Sequence, residues 1–157
     1  MTITAMDILT RCRAAERELR LLGEKVARYR DASQRMTSTL DGVGSRGTGE
    51  SDRLAAIIGE IDDLERKWAS RQREYTAELA AAMKLVDTLP SVESIILSRY
   101  YVRRQPLKAI ALELGYSYGY VRSCKGEGCN RLKQVPEGVI LALLPPWYIN
   151  DDEKRQR

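Results

Sequence analysis

The amino-acid sequence predicts an all-α protein: a long antiparallel helical hairpin of coiled-coil character, followed by a C-terminal three-helix module built as a helix-turn-helix. Three observations predict it. Apolar residues recur at alternating spacings of three and four over residues 8–29, and the same pattern returns over 54–89 beyond a Gly/Ser/Thr-rich connector. Residues 106–122 then read as a short helix, a glycine and a capped second helix.

The first helix is expected over residues 4–34. Its seam is Ile8, Cys12, Ala15, Leu19, Leu22, Val26 and Tyr29, with Arg and Glu at the outer positions, which is a heptad pattern. Gly23 weakens it by about 1 kcal/mol relative to alanine. Residues 35–50, RMTSTLDGVGSRGTGE, are expected to form a flexible loop. Gly42 to Gly47 spells GxGxxG, but the dinucleotide mechanism needs a strand before the glycines and a helix opening from them. A long helix precedes them here, so no nucleotide site is expected.

The second helix starts at a Ser51 or Asp52 cap and runs to about Leu89. Its seam is Leu54, Ile57, Ile61, Leu64, Trp68, Arg71, Tyr75, Leu79, Ala82, Val86 and Leu89. Arg71 interrupts it, and the step from Tyr75 to Leu79 slips the register by one place. Two helices of similar length joined by a flexible connector fold back most simply as an antiparallel pair, with arms roughly 45–55 Å long. So narrow a buried stripe leaves apolar surface over. Residues 1–89 are therefore expected to form a homo-oligomer, dimeric or higher.

Leu89-Pro90 ends this helix, because the residue before proline is pushed out of the α region. Ser91 is expected to cap a third helix, SVESIILSRYYVRR, with Val92, Ile95, Ile96, Tyr100 and Tyr101 on its apolar face. Pro106 stands at the favoured first position of the next helix, and Leu107, Ile110, Ala111 and Leu114 follow at helical spacing. Gly115 supplies a left-handed turn residue, Ser117 a cap, and a recognition helix is expected over 118–131. Val121 faces inward toward Ile110 and Leu114, and Cys124, Gly128, Cys129 and Leu132 continue that face. Gly126 and Gly128 together cost about 2 kcal/mol of helix propensity, which predicts a bend or fraying after Lys125. The module covers 90–135. The tail, 136–157, is too small to fold alone and is expected to pack back on the helices or on a partner, with a disordered end, DDEKRQR.

Composition narrows the function. The 157 residues contain no histidine, which removes the commonest general base and the usual Ser-His and Cys-His pairs. Cys12, Cys124 and Cys129 form no CxxC and no disulfide framework, and a zinc site would need further ligands nearby. The carboxylate pair Asp62-Asp63 falls on a coiled-coil surface. No enzyme, metal or cofactor is expected. MTITAMDILTRCR has neither the basic start nor the apolar run of a signal peptide, and the longest apolar stretch, 139–144, cannot span a bilayer. A cytoplasmic protein without membrane contact is expected.

Charge is unevenly spread. Residues 91–135 carry eight Lys/Arg against three Asp/Glu, more than the whole chain's surplus of four, together with five of the eight tyrosines. A basic, Tyr-rich helical segment points to double-stranded DNA. Arg122 suits a bidentate contact with guanine and Ser123 a contact with several bases. Lys125, Arg131, Lys133, Arg103 and Arg104 suit phosphates. Ser117 and the first N–H groups of the recognition helix suit a phosphate at a helix N-terminus, and Tyr118 and Tyr120 a sugar or a thymine methyl. Tyr100, Tyr101 and Tyr116 are expected to be packing residues.

The stretch Ile110-Ala111-x-x-Leu114-Gly115-Tyr116-Ser117-x-x-Tyr120-Val121-Arg122, preceded by IILSRYYV, resembles region 4 of sigma-70-type RNA polymerase sigma factors. Over residues 91–135 it looks especially similar to the ArpU-type regulators of bacteriophages and prophages, in which a long helical part precedes such a module. The resemblance implies that the second helix enters the major groove, with Tyr118, Gly119, Arg122, Ser123 and Glu127 toward base edges or phosphates. It departs from sigma factors at Tyr118 and Gly119, where charged side chains are usual, and no counterpart of the promoter-melting region exists. The resulting expectation is a sequence-specific DNA-binding regulator of transcription in a bacterial cell, phage or prophage encoded. The alternatives are a phage DNA-packaging terminase small subunit, and an RNA-polymerase-interacting protein with little DNA affinity.

Overall fold

The computed structural model describes residues 2–43 and 48–155. They are all helical in character, with seven α-helices, one π-helical turn and no strand among the described residues. The helices are α1 (Ala5–Val43), α2 (Thr48–Asp87), α3 (Ser91–Leu97), α4 (Leu107–Leu114), α5 (Tyr118–Lys133), α6 (Glu137–Leu143) and α7 (Pro146–Arg155), and the π-helical turn covers Ser98–Val102. Two compact units result: Met1–Ala15 with Glu74–Arg157, and Glu16–Arg73. The division falls inside α1 and α2, not at the proline that ends the second helix, because the first turns of α1 and the last turns of α2 supply core to the C-terminal helices.

The long helices outrun their expected ends. The loop expected over 35–50 is helical at 35–43 and 48–50, and 44–47, with the end of the GxGxxG spelling, lie outside the described residues. No proline interrupts 35–43. The hydroxyls of Ser33 and Thr37 donate to the helix's own carbonyls at Arg30 and Ser33, both 2.9 Å, so they do not divert the backbone into a turn.

In the unit Glu16–Arg73, residues of α1 and α2 meet in opposite chain order. Glu18 takes an ion pair from Arg71 at 2.5 Å, Gly23 lies beside the Trp68 indole, and Arg30 pairs with Glu65. Arg71, which interrupts the apolar seam, thus sits on it with its charge neutralised.

The other unit holds the main core: Ile8, Leu9 and Cys12 of α1, Ala81, Ala82, Leu85 and Val86 of α2, Ile96 and Leu97 of α3, then Ile110, Val121, Leu132, Ile140 and Tyr148. Here the buried face of α2 widens: Ala82 and Val86, on the line expected after the register slip, are buried together with Ala81, Leu85 and Glu78, the last 1% exposed. A charge at a core position is costly unless it is bonded, and Glu78 is: the Tyr148 hydroxyl donates to its Oε1 at 2.7 Å. That hydroxyl accepts from Arg11 Nη1 at 2.8 Å, and Arg11 Nη2 reaches Asp152 at 3.2 Å. Burial lowers the Arg11 pKa, but the Tyr148 hydroxyl, Asp152 and Glu78 outweigh it and the net shift is upward.

The tail does pack back on the helices, through Ile140, Leu144 and Tyr148. Of its end, expected to be disordered, residues 151–155 continue α7, where Asp152 is buried and Arg155 pairs with the buried Glu74, and 156–157 lie outside the described residues. The DDEKR string reads as solvated sequence only while the carboxylates and Arg11 waiting for it on α1 and α2 are out of view.

The third helix departs from its expected form. Pro90 takes the cap position that Ser91 was expected to fill, and the helix turns π-helical at Ser98, where the Arg103 N–H reaches the Ser98 carbonyl at 3.1 Å. Ile95, expected on the apolar face, is 45% exposed, and Leu97 is buried in its place.

Candidate nucleic-acid interface

Three devices fix the geometry from α4 to α5. Pro106, extended at φ −68° and ψ 149°, occupies the cap of α4, one place before its expected position, with Ile110 and Ala111 buried beneath. Gly115 adopts φ 70°, a conformation that costs any residue with a Cβ roughly 1–2 kcal/mol. The Tyr116 N–H then reaches back to the Ala111 carbonyl at 3.0 Å, closing the helix end as a Schellman-type motif. Ser117 is extended, and its hydroxyl accepts from the Tyr120 N–H at 3.2 Å, satisfying one orphan donor of α5.

α5 has two faces. Val121, Cys124, Gly128, Cys129 and Leu132 are buried, and no disulfide joins Cys12, Cys124 and Cys129. Tyr101 donates to or accepts from the Cys129 sulfur at 3.6 Å, and burial with this contact holds the Tyr101 hydroxyl well above its ordinary pKa. The expected bend after Lys125 is absent, since α5 runs unbroken through both glycines. Gly128 is there for space: a Cβ would lie 2.9 Å from Leu97 Cδ1, 3.3 Å from Cδ2 and 3.4 Å from Glu93 Cβ.

The other face carries most of the residues singled out from the sequence. Ser117, Tyr118, Gly119, Tyr120, Arg122, Ser123, Glu127, Arg131 and Lys133 are all exposed, as is Arg103 ahead of α4. Gly119, Arg122, Ser123, Gly126, Glu127 and Asn130 recur at helical spacing and form one stripe. Nothing lies within 4 Å of a Cβ added at Gly119 or Gly126. Arg122, Lys133 and Arg103 have no carboxylate partner among the described residues.

Other members are engaged elsewhere. The Lys125 ammonium, half-buried, lies 4.6 Å from the Tyr100 ring centroid and 5.7 Å from that of Tyr101. Arg13 approaches the Tyr100 ring at 3.8 Å and donates to the Tyr100 carbonyl. Arg131 forms a 3.1 Å ion pair with the buried Glu93. Arg104, at φ 58°, donates to the Tyr75 hydroxyl at 3.3 Å. Arg99, which composition alone did not single out, pairs with Glu113 and ties the π-helical turn to α4.

Tyr116, expected to be a packing residue, is 43% exposed. Its ring meets Tyr120 edge-on at 4.9 Å. The Tyr120 hydroxyl bonds the Cys124 thiol, which raises its pKa. Sequence reasoning also passed over Leu112, 85% exposed on α4; its neighbours four residues either way are Lys108 and Tyr116, both exposed.

Among the described residues, no three His, Cys, Asp or Glu side chains converge as metal ligands, and no helix is long and apolar enough to cross a membrane. Compared with known proteins, the chain matches no family model, no curated protein and no solved structure.

Proposed function

We propose that this chain is a sequence-specific DNA-binding regulator of transcription. In this reading the long arms of α1 and α2 form an antiparallel, coiled-coil-like hairpin, and α4, its glycine turn and α5 act as a helix-turn-helix whose second helix enters the major groove. The observation that carries it is the outer stripe of α5. Two glycines there, Gly119 and Gly126, cost helix propensity and gain nothing from internal packing, yet they flank Arg122 and Ser123 and leave the helix backbone bare for close approach. A base-reading arginine between two low points is what a surface needs to sit deep in a groove.

Phosphates are assigned to Arg103, Lys133 and the N-terminus of α5 at Ser117. Lys125 and Arg131 are secondary in this role, because each already holds an internal partner. Homo-oligomers would present two recognition helices to paired half-sites. One observation favours a protein contact as well. Leu112, bare on α4 beside Tyr116, suits a protein partner such as RNA polymerase better than it suits DNA.

Selection of bound duplexes from a random pool tests this reading. An enriched motif is expected. On that motif Arg122→Ala should cost about 1–3 kcal/mol and relax preference at one position, whereas Lys133→Ala should weaken all sequences evenly and lower the salt slope by about 1. No enrichment at low salt, or equal losses on selected and random DNA from Arg122→Ala, would refute it.

A further inference from the structure

Three elements of one unit bring two cations to a single aromatic ring. Arg13 of α1 places its guanidinium carbon 3.8 Å from the Tyr100 ring centroid, and Lys125 of α5 its ammonium 4.6 Å from the same point. Both cations and the ring are half-buried, and all three belong to the unit Met1–Ala15 with Glu74–Arg157. Tyr100 stands in the π-helical turn beside Tyr101, the two rings edge-to-face at 4.8 Å. Tyr101 is buried and bonded to Cys129, so the ring that receives both cations has a fixed neighbour. Single π-helical turns are rare, and many of them lie at functional sites.

Charge is not balanced here. Arg11 and Arg99, also half-buried in this unit, each have a carboxylate, Asp152 and Glu113. Arg13 and Lys125 have none among the described residues. A ring face attracts a cation by about 0.5–2 kcal/mol but leaves its charge in place. Two cations beside one ring also repel each other, a cost that an anion removes. The remaining hydrogen-bonding capacity is mostly of one sign. Arg13 uses one N–H on the Tyr100 carbonyl and keeps others, and the Lys125 ammonium can only donate. The Tyr100 hydroxyl has no protein partner among the described residues. An arginine, a lysine and a phenol with no carboxylate among them match the oxygens of a phosphate group.

This cluster adjoins the outer stripe of α5. Lys125 follows Arg122 by three residues, which makes the two neighbours on the helix surface. A helix lying in the major groove is flanked by backbone phosphates, and contacts to them fix its register. Lys125 alone is a secondary phosphate contact, because a ring already holds it. Joined by Arg13 it supplies twice the charge, and the anion-binding surface extends from α5 onto α1. We propose that Arg13, Lys125 and the Tyr100 hydroxyl form a seat for one phosphate group. Its occupant, a phosphodiester of the DNA backbone beside α5, rests on the proposed function; the seat itself does not.

Fluorescence anisotropy of the full chain on the selected duplex, over a range of salt concentrations, tests the occupant. Arg13→Gln and Lys125→Gln should each weaken binding on the order of threefold to tenfold, on selected and random duplexes alike. Because they share one phosphate, the double variant should lose less than the product of the single losses. Its salt slope should fall by about 0.9, not by twice that. Arg13→Lys should keep the wild-type slope, which a packing role for Arg13 would not require. Nuclear magnetic resonance with millimolar inorganic phosphate and no DNA tests the seat. The Arg13 Nε–H and the Lys125 backbone N–H should shift in the wild type, and the Lys125 response should vanish in Arg13→Gln. Duplex binding with an unchanged slope in the double variant, losses that multiply, or no response to phosphate at Arg13 and Lys125 would overturn the seat. A phosphate response in a chain that binds no duplex would uphold the seat, give it a free phosphate as occupant, and sink the DNA reading.

Discussion

Gly126 and Gly128 stand two residues apart on α5 and do opposite things, though composition treats them alike. Gly128 faces α3 with no room for a Cβ, since Leu97 is fully buried and cannot withdraw. Gly126 faces outward with nothing near. Gly128→Ala is expected to destabilise by about 1–3 kcal/mol through overpacking, beyond the propensity gain. Gly126→Ala is expected to stabilise by about 1 kcal/mol and, under the proposed function, to weaken DNA binding. Urea unfolding of the two variants measures the first pair of effects, and equal shifts of one sign would show that propensity alone governs both positions. The same distinction limits what was legible at this scale. Arg122, Ser117 and Gly115 were placed by the sequence because each role follows from local spacing and turn chemistry. The partners of Arg131, Lys125 and Arg104 lie 24 to 38 residues away in sequence, and no local pattern announces them.

At the scale of elements, type was readable and termini were not. Both long helices, α4 and α5 follow from period 3.6 and the capping chemistry at Ser117. The π-helical turn and α7 do not. A π-turn adds one residue to a single turn, too local a change for a 3.6-residue period to register, and Glu78, which lines the core, was passed over as a charge. Its true status depends on α7, which depends in turn on Arg11 and Glu78. This mutual support makes α7 a pH-sensitive element. Burial, and then the bond to Glu78, raise the Tyr148 pKa above its ordinary value of 10.0. The unfolded chain therefore loses that proton at lower pH than the folded one, and the stabilisation is complete below about pH 10 and declines as pH rises beyond it. Tyr148→Phe is expected to cost about 1–3 kcal/mol at neutral pH by removing the hydroxyl that bridges Glu78 and Arg11. It should also show a smaller loss of urea midpoint between neutral pH and pH 11 than the wild type, with Tyr101 supplying what remains. A Tyr148→Phe protein with an unchanged alkaline loss would remove Tyr148 from this role.

At the scale of the whole molecule, the two units divide burial unevenly. The unit containing α3 to α7 has a core that accounts for its own order, so the α5 stripe is presented by a framework that does not depend on a ligand. Among the described residues of the unit Glu16–Arg73, only Val26 and Leu64 are fully buried. Under the proposed function, self-association would carry two recognition helices, and a duplex with two half-sites at the selected spacing would then gain an avidity that a single half-site cannot give, of order 10²-fold. Arg122→Ala should weaken single and paired sites alike and leave the gain between them unchanged. Fluorescence anisotropy with the two duplexes, at one fixed salt concentration, measures both effects. Equal wild-type affinity for single and paired sites would mean that the copies bind one at a time.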